Sequence, residues 1–328
     1  MNSLRLSRRA LATAALVTLA GAICAPAMAQ AGWPNKPIRM IVPYSAGGGA
    51  DNAARILAQR LSATLGTQVV VDNRPGASGI IGAQAVAKAE ADGYTVLYDS
   101  STFAVNPSLR KMPFDPAKDL APVSLVVTVP NILVVPAKSP STDFKVFLER
   151  ARANPGQVSF ASYGAGSPAH LAGELLNREA RVSMLHVPYK GGAPALADVI
   201  GGQVDSYFAN AGSGLGYVQS GQVKALAVTS RERMALLPQV PTVAESGFPN
   251  FEVLEWNGVF VPAGTPKAIV DRLASEVQAA VKDPDTRARL VKLGAEPVGG
   301  TPAAFAAFLA TQTQRWAQLI QANKITAD

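Results

Sequence analysis

The sequence predicts an α/β protein of two lobes, each a mainly parallel sheet flanked by helices, with a cleft at a two-strand hinge. Short apolar runs alternate with helical patterns in both halves of the chain, as is typical of parallel sheets covered by helices. Two longer apolar runs, over 123–135 and 251–261, indicate strands that cross between the lobes. We therefore predict lobe 1 over 30–128 and 256–328, and lobe 2 over 129–255.

The first 29 residues have the pattern of a secretory signal peptide. Three arginines precede an apolar stretch over 10–23, and a small-x-small cleavage site ends at Ala29. We expect cleavage after Ala29 and a periplasmic mature chain. The pair Arg8-Arg9 leaves open whether export uses the Sec or the twin-arginine route. The single cysteine, Cys24, lies inside this segment, so the mature chain contains no disulfide.

The charge of the chain argues against nucleic acid as a partner. The formal net charge is +7, and the signal peptide holds three arginines and no acidic residue, so the mature chain carries +4. This mild excess contains no run of lysine or arginine, which nucleic-acid-binding surfaces need.

The loop that follows the first predicted strand has the sequence pattern of an anion site. Ile38 to Val42 is an apolar run, three glycines follow at 47–49, and a helical pattern then continues to Gly66. Such a strand–glycine–helix arrangement points backbone N–H groups and the positive end of a helix dipole at one place. The loop lacks the Gly-Lys-Ser/Thr of a Walker motif and the spacing of a dinucleotide fingerprint. A tight turn without a ligand remains an alternative.

Similar loops follow the later strands. Asp99 to Thr102 ends the third strand, and Gly164 to Leu171 opens a helix with Ser167 as N-cap and Pro168 as first helical residue. Because the carboxyl ends of parallel strands line the ligand crevice, we expect these loops to meet. Trp256, in the second crossing, either floors this cleft or belongs to the hinge core.

The inventory of reactive side chains favours binding without chemistry. The mature chain has two histidines, His170 and His186, and no cysteine, which excludes a His/Cys zinc site. No serine has the nucleophile-elbow sequence G-x-S-x-G. We expect no cofactor and no metal. Asp51 either caps backbone groups of the first loop or meets a donor on the ligand, and Lys190 is a candidate cleft cation.

Several motifs in a fixed order resemble the Bug-type receptors, periplasmic solute-binding proteins of tripartite tricarboxylate transporters. The resemblance covers the whole mature chain. The motifs are Trp33-Pro34 with Lys36-Pro37-Ile38, Ala46-Gly47-Gly48 with Asp51, Asn73-Arg74-Pro75-Gly76-Ala77, Val187-Pro188-Tyr189-Lys190-Gly191, and Trp256 with Gly258 and Pro262-Ala263-Gly264-Thr265-Pro266.

The resemblance implies a type II periplasmic-binding-protein fold that closes on an organic carboxylate, held largely by backbone amides and hydroxyls. Tyr44-Ser45 departs from the Phe-Ala that is usual in the family's first loop, and it adds two hydroxyls. The candidate ligand-binding residues from the loops and the resemblance are Tyr44, Ser45, Ala46, Gly48, Asp51, Ser78, Gly79, Ser100, Gly166, Ser167, Ala169, His170, Tyr189 and Asp205.

The predicted function is capture of a small organic carboxylate and its delivery to membrane subunits of a tripartite tricarboxylate-type transporter, by a monomer. A sensor that reports the ligand to a signalling partner and a receptor for another transporter class fit the same motifs. An exported enzyme acting on carboxylic acids is a further alternative. The sequence does not name the acid.

Overall fold

The computed structural model describes residues 32–327. The predicted signal peptide, its cleavage site and Cys24 lie outside the described residues. Within them, ten strands are numbered β1 to β10: Ile38–Val42, Val69–Asn73, Thr95–Ser100, Leu120–Pro136, Ser159–Ser162, Leu185–Pro188, Ser206–Asn210, Val223–Val228, Leu254–Pro262 and Glu296–Pro297. The α-helices of the same residues are numbered α1 to α11: Gly49–Leu65, Ile80–Ala87, Thr102–Leu109, Pro116–Asp119, Phe144–Ala153, Pro168–Ala180, Gly192–Ile200, Ala211–Gln219, Lys267–Lys282, Pro284–Lys292 and Pro302–Ala322.

The N-terminal sheet is built on β1, which runs parallel to β2 on one side and to β3 on the other. Four of the five residues of β1 are buried, as expected for a strand inside a parallel sheet. The sheet continues with β9 antiparallel to β3 and with β4 antiparallel to β9. The alternation of strands and helices in the sequence predicts the parallel strands. The crossing strands β4 and β9 pair antiparallel and make the sheet mixed.

The second sheet repeats this plan. Strand β5 lies between β6 and β7 and is parallel to both. Strand β4 then pairs antiparallel with β7 and with β8. The loops after β5, β6 and β7 therefore leave the same edge of the sheet.

The 17-residue strand β4 belongs to both sheets. Residues 120–130 pair with β9, and residues 131–136 pair with β7 and β8. Pro130 lies within the strand and opposite Leu254, so it does not interrupt the crossing as its position in the sequence suggests. The predicted two-lobed α/β fold is confirmed, and the residue boundaries of the lobes remain a prediction.

Strand β9 separates core side chains from cleft side chains by simple alternation. Trp256 is fully buried and packs edge-on against Phe305 and Phe308, with ring centroids 5.7 and 5.8 Å apart. It therefore belongs to the core and does not floor the cleft. Glu255 and Asn257 flank it and point to the other face of the strand, as the two-residue period requires.

Two helices lie where sequence patterns are weak. Pro107, Pro113 and Pro116 favour an irregular span, yet residues 102–119 contain α3 and the short α4. Phe103 of α3 stacks on Phe260 at 4.4 Å between ring centroids, and this packing outweighs the cost of Pro107 near the helix end.

Helix α5 begins after Asp143, whose carboxylate accepts a hydrogen bond from the Val146 N–H. None of the helices in the described part of the chain is both long and apolar enough to span a bilayer.

Candidate ligand-binding site

The first loop has the predicted strand–glycine–helix arrangement. Gly47 has a φ of 82°, a value that residues with a Cβ rarely adopt. Gly48 is the N-cap of α1, and Gly66 ends this helix in the left-handed conformation. The first N–H groups of α1 have no acceptor inside the helix, so they are available to an anion at the loop.

Asp51 stabilises this loop through hydrogen bonds of its buried carboxylate. Its side chain is buried, and its Oδ2 accepts hydrogen bonds from the Gly47 N–H at 2.8 Å and from Arg55 Nε at 2.9 Å. Its Oδ1 accepts one from Asn73 Nδ2 at 2.8 Å. Burial opposes ionisation, but the bonds from Arg55, Gly47 and Asn73 outweigh it and hold the pKa of Asp51 below its ordinary value. Asp51 thus has the capping role and does not line the cleft.

A cavity of about 620 Å³ lies where the strand-end loops of the two sheets meet. Six of the predicted site residues line it: Tyr44, Gly48, Ser78, Ser100, Ser167 and Tyr189. They come from the loops after β1, β2, β3, β5 and β6. The structure therefore brings together polar groups that are separated by more than a hundred residues in the chain, as the strand-end rule predicts.

Other predicted residues surround this cavity without lining it. Ser45 and Ala46 are exposed, and Ala169 is fully buried in the first turn of α6. A Cβ at Gly79 would lie 3.2 Å from the Tyr44 hydroxyl, so the glycine makes room for that side chain. A Cβ at Gly166 would lie 2.3 Å from Leu109, and this glycine therefore allows α3 to pack against the loop after β5.

His170 stabilises the loop after β5 from the side away from the cavity. Its Nδ1 accepts a hydrogen bond from the Gly166 N–H at 3.1 Å, and its ring stacks on His186 with centroids 3.8 Å apart. Burial and the neighbouring His186 lower the pKa of His170 to about 3, so the ring is neutral at pH 7. His170 does not line the 620 Å³ cavity, and its contact with a ligand stays a prediction.

Asp205 lies at the opposite edge of the sheet. It precedes β7, whereas the cleft is formed at the carboxyl ends of the strands. Its carboxylate is paired with Arg150 and accepts a hydrogen bond from the Ser159 N–H at 2.9 Å. The structure does not bring Asp205 to the cavity, because strand direction places the first and last residues of β7 at different edges.

The hydroxyl of Tyr44 is fully used inside the protein. It donates to Asp99 Oδ1 at 2.6 Å and lies 2.6 Å from Ser100 Oγ and 2.7 Å from Thr102 Oγ1. Asp99 is only 1% exposed, and burial raises its pKa to about 7 against the opposing bonds from Tyr44 and the Ser100 N–H. Tyr44 thus shapes the wall of the cavity, and its hydroxyl is not free for a ligand.

A second tyrosine–carboxyl pair lies on the other side of the cavity. Tyr163 donates to Glu255 Oε2 at 3.0 Å, and Asn210 Nδ2 donates to the same oxygen at 3.0 Å. Burial raises the pKa of Glu255, although both hydrogen bonds act in the opposite direction. Tyr163 and Glu255 line the cavity and were not predicted. The only sequence signal for Glu255 is its place beside the Trp256 motif.

Two cations reach the cavity from opposite lobes. Arg110 follows α3, and Lys190 follows β6. Within residues 32–327 neither forms an ion pair with a carboxylate; Arg110 only approaches Asn106 Oδ1 at 3.5 Å. The sequence indicates Lys190 as a candidate cation, whereas no local pattern marks Arg110, since the prolines around it favour irregular structure. An organic anion is the natural partner of this arrangement.

Comparison with known proteins identifies the family. A family model described as the tripartite tricarboxylate transporter family receptor matches residues 53–325. The chain belongs to this family. The resemblance drawn from the motifs is thereby confirmed.

Solved structures of this receptor family have the same fold. The receptor is similar to the periplasmic binding protein BugD, with 39% identity and a TM-score of 0.77 over 90% of this chain and 100% of that one. It is similar to R. palustris Rpa4515 with adipate, with 35% identity and a TM-score of 0.81 over 90% of this chain and 100% of that one. It is also similar to MatC from Rhodopseudomonas palustris with bound malate, with 32% identity and a TM-score of 0.74 over 88% of this chain and 100% of that one. The first is a periplasmic binding protein, and the other two were solved with carboxylates.

The receptor has a second cavity, of about 440 Å³, which adjoins the first. The two share Gly48, Gly49, Tyr163 and Glu255 in their walls. The second cavity extends to the starts of α7 and α8 and to Asn257 of β9. Among the described residues, no group of three His, Cys, Asp or Glu side chains is placed to hold a metal ion.

Proposed function

We propose that this receptor captures an organic carboxylate in the 620 Å³ cavity and delivers it to a tripartite tricarboxylate-type membrane transporter. The observation that carries the proposal is the pair of unpaired cations, Arg110 and Lys190, at a cavity formed by glycine- and serine-rich loops. The family is one of transporter receptors, and we propose binding without catalysis.

The geometry offers an anion more than two cations. Helix α1 begins at Gly49 and helix α6 begins at Pro168, and both starts line the cavity. Helix N-termini favour negative charge through their free N–H groups and their dipoles. A hydrogen bond to a charged group contributes about 1.5–3 kcal/mol. About five to eight such bonds supply the roughly 8 kcal/mol of micromolar binding and offset the cost of association.

The relatives support the ligand class and the setting. Rpa4515 was solved with adipate and MatC with malate, and BugD is a periplasmic binding protein. By analogy we propose that the chain is exported, cleaved after Ala29 and active in the periplasm as a monomer. The membrane subunits of the transporter are its proposed partner.

A ligand screen with cavity variants tests the capture step. Thermal shift and calorimetry across mono-, di- and tricarboxylic acids are expected to identify at least one ligand. Arg110→Gln and Lys190→Gln are each expected to weaken its binding about tenfold or more, because each removes a charge-assisted contact. Lys138→Gln is the control, since Lys138 is exposed and lines neither cavity. Unchanged affinity in both cavity variants would contradict this site.

Uptake tests the delivery step. Deletion of the chain is expected to abolish transport of the identified acid, and the wild-type chain is expected to restore it while Arg110→Gln does not. If the deletion strain transports the acid normally but no longer responds to it, the sensor alternative is favoured. Conversion of the acid by the purified chain would instead favour an enzyme.

A further inference from the structure

Glu255 lies between the two cavities and lines both. It is held there by β9, whose alternation buries Trp256 in the core and turns Glu255 and Asn257 towards the cleft. A ligand that extends from one cavity into the other therefore comes close to this carboxyl group. Its chemistry decides what part of a ligand can lie beside it.

The carboxyl group of Glu255 is only partly satisfied by the protein. Tyr163 and Asn210 both donate to Oε2, and no hydrogen bond within the described residues reaches Oε1. No arginine, lysine or histidine among residues 32–327 forms an ion pair with it. A carboxylate with two donors on one oxygen and no countercation is an acceptor that still lacks a partner.

The far side of Glu255 also has unused polar groups. In the part of the chain that the structure describes, Tyr207 Oη and Asn257 Nδ2 have no hydrogen-bond partner, although their residues are only 0% and 2% exposed. Both residues line the second cavity. Buried donors of this kind are costly unless they are paired.

The order of groups along the cleft therefore defines a ligand pattern. Arg110 and Lys190 in the wall of the first cavity suit an anionic end, and Glu255, in the wall of both cavities, suits a hydrogen-bond donor. A plain dicarboxylate offers no hydrogen-bond donor to the free oxygen of Glu255. An amine or a hydroxyl on the carbon chain of the ligand donates a hydrogen bond to the free Oε1 of Glu255.

We propose that Glu255 makes this receptor select organic acids that carry a hydrogen-bond donor, above all a protonated amine, over the unsubstituted acid of the same skeleton. The proposal rests on the carboxylate-binding function proposed above and narrows its substrate class. Glu255 acts here as a specificity-determining residue that contacts the ligand, and Tyr163 and Asn210 are positioning residues that hold it.

Matched acids test the selection directly. Succinate, malate and aspartate share one skeleton and differ only by hydrogen, hydroxyl or amine at one carbon. Glutarate and adipate extend the series with their 2-hydroxy and 2-amino derivatives. For the wild-type chain, calorimetry is expected to give the amino derivative of the best-fitting skeleton about tenfold or tighter binding than the plain acid, with the hydroxy acid between them.

Substitution of Glu255 then assigns the preference to its charge. Glu255→Gln keeps the shape but cannot carry the negative charge that a bound amine favours, so the preference for the amine is expected to fall to about threefold or less. Asp198→Asn is the matched control, because Asp198 pairs with Tyr189 of the cavity wall but does not line either cavity itself. It is expected to leave the ratio between the two acids unchanged.

The outcomes separate the two proposals. If no acid in the series or in the wider panel binds, the carboxylate-binding function itself fails. If plain acids bind the wild-type chain as tightly as their amino and hydroxy derivatives, the function stands and the role of Glu255 is overturned. The same conclusion follows if Glu255→Gln, folded by circular dichroism, keeps the wild-type ratio. Should this variant fail to fold, the wild-type ratios alone decide.

Discussion

Two tyrosine–carboxyl pairs, Tyr44 with Asp99 and Tyr163 with Glu255, face the same cavity from different elements and have opposite consequences. In the first, the carboxyl lies behind the tyrosine and is closed off from the cavity, and the hydroxyl is held by three partners. In the second, the carboxyl itself forms part of the cavity wall and keeps one oxygen free. The same two side-chain types therefore give a rigid wall in one place and a selective contact in the other.

The burial of the carboxyl group decides the role of each pair. Asp99 is 1% exposed and its pKa is raised to about 7, so at pH 7 it is divided between its neutral and its charged form. No ligand reaches Asp99, so this residue affects the stability of the folded chain. Glu255 is reached from both cavities, and its effect falls on which ligand binds.

Closing the space between the pairs is expected to have the largest effect. Gly48→Val places a side chain in the wall of both cavities and is expected to abolish the ligand-induced thermal shift. The apo fold is expected to survive, since φ at Gly48 is −73° and a Cβ would meet only Ser45 O, at 3.4 Å. Gly216→Val, where a Cβ meets nothing within 4 Å, is the control. Normal binding in Gly48→Val would remove the first loop from the site.

The first pair is expected to control how stability depends on pH. Asp99 has an ordinary pKa near 4 when unfolded and about 7 when folded, so between these values the folded chain holds a proton that the unfolded chain releases. Its contribution to the free energy of unfolding therefore falls as pH rises through this window, by up to about 1.4 kcal/mol per pH unit. Asp99→Asn is expected to remove that slope.

Urea unfolding of both chains across this pH window measures the effect. The difference between wild type and Asp99→Asn isolates the residue from other titrating groups, including Glu174 and Glu255. Parallel curves for the two chains would show that Asp99 is ionised in the native state and would contradict the assignment.

Removing each tyrosine hydroxyl separates the two roles with a smaller effect. Tyr44→Phe removes the side-chain donor to buried Asp99 and the shared partner of the Ser100 and Thr102 hydroxyls. The Ser100 N–H remains as a donor to Asp99, and the variant is expected to lower the free energy of unfolding by about 1–3 kcal/mol with little change in ligand ratios. Tyr163→Phe is expected to cost less stability, because Asn210 still donates to Glu255. It should instead reduce the preference for amino acids over plain acids. Urea unfolding and calorimetry together test this, and equal effects of the two variants would contradict the comparison.

Much of the architecture was predictable from local patterns, and so was part of the site. The strand–glycine–helix loop, the Ser167 cap with Pro168 and the Gly66 helix end are all present, because each depends on a few neighbouring residues. Helix α3 was missed since its stability comes from Phe103 packing on Phe260, which lies far away in the chain. Arg110 was missed for the same reason, because it directly follows that helix.

The site predictions differ in outcome for a similar reason. Gly48 and Ser167 line the cavity because loops at strand ends must do so. Asp51 and His170 lie in the first turns of the helices that follow these loops, and their side chains turn back towards Gly47 and Gly166 respectively. A position in the sequence places a residue in a loop, and the partners around it decide which way its side chain points.

By itself, the sequence determined the alternation of buried strands and helices, the glycine- and serine-rich strand ends and the ordered family motifs, and hence a receptor with a cleft. These features are set by residues close together in the chain, whose periodicity and turn chemistry act locally. Only the tertiary structure decided that Glu255 meets Tyr163 and Asn210, which are 92 and 45 residues away. Such pairings depend on strand register and on competition for burial, and local patterns contain neither.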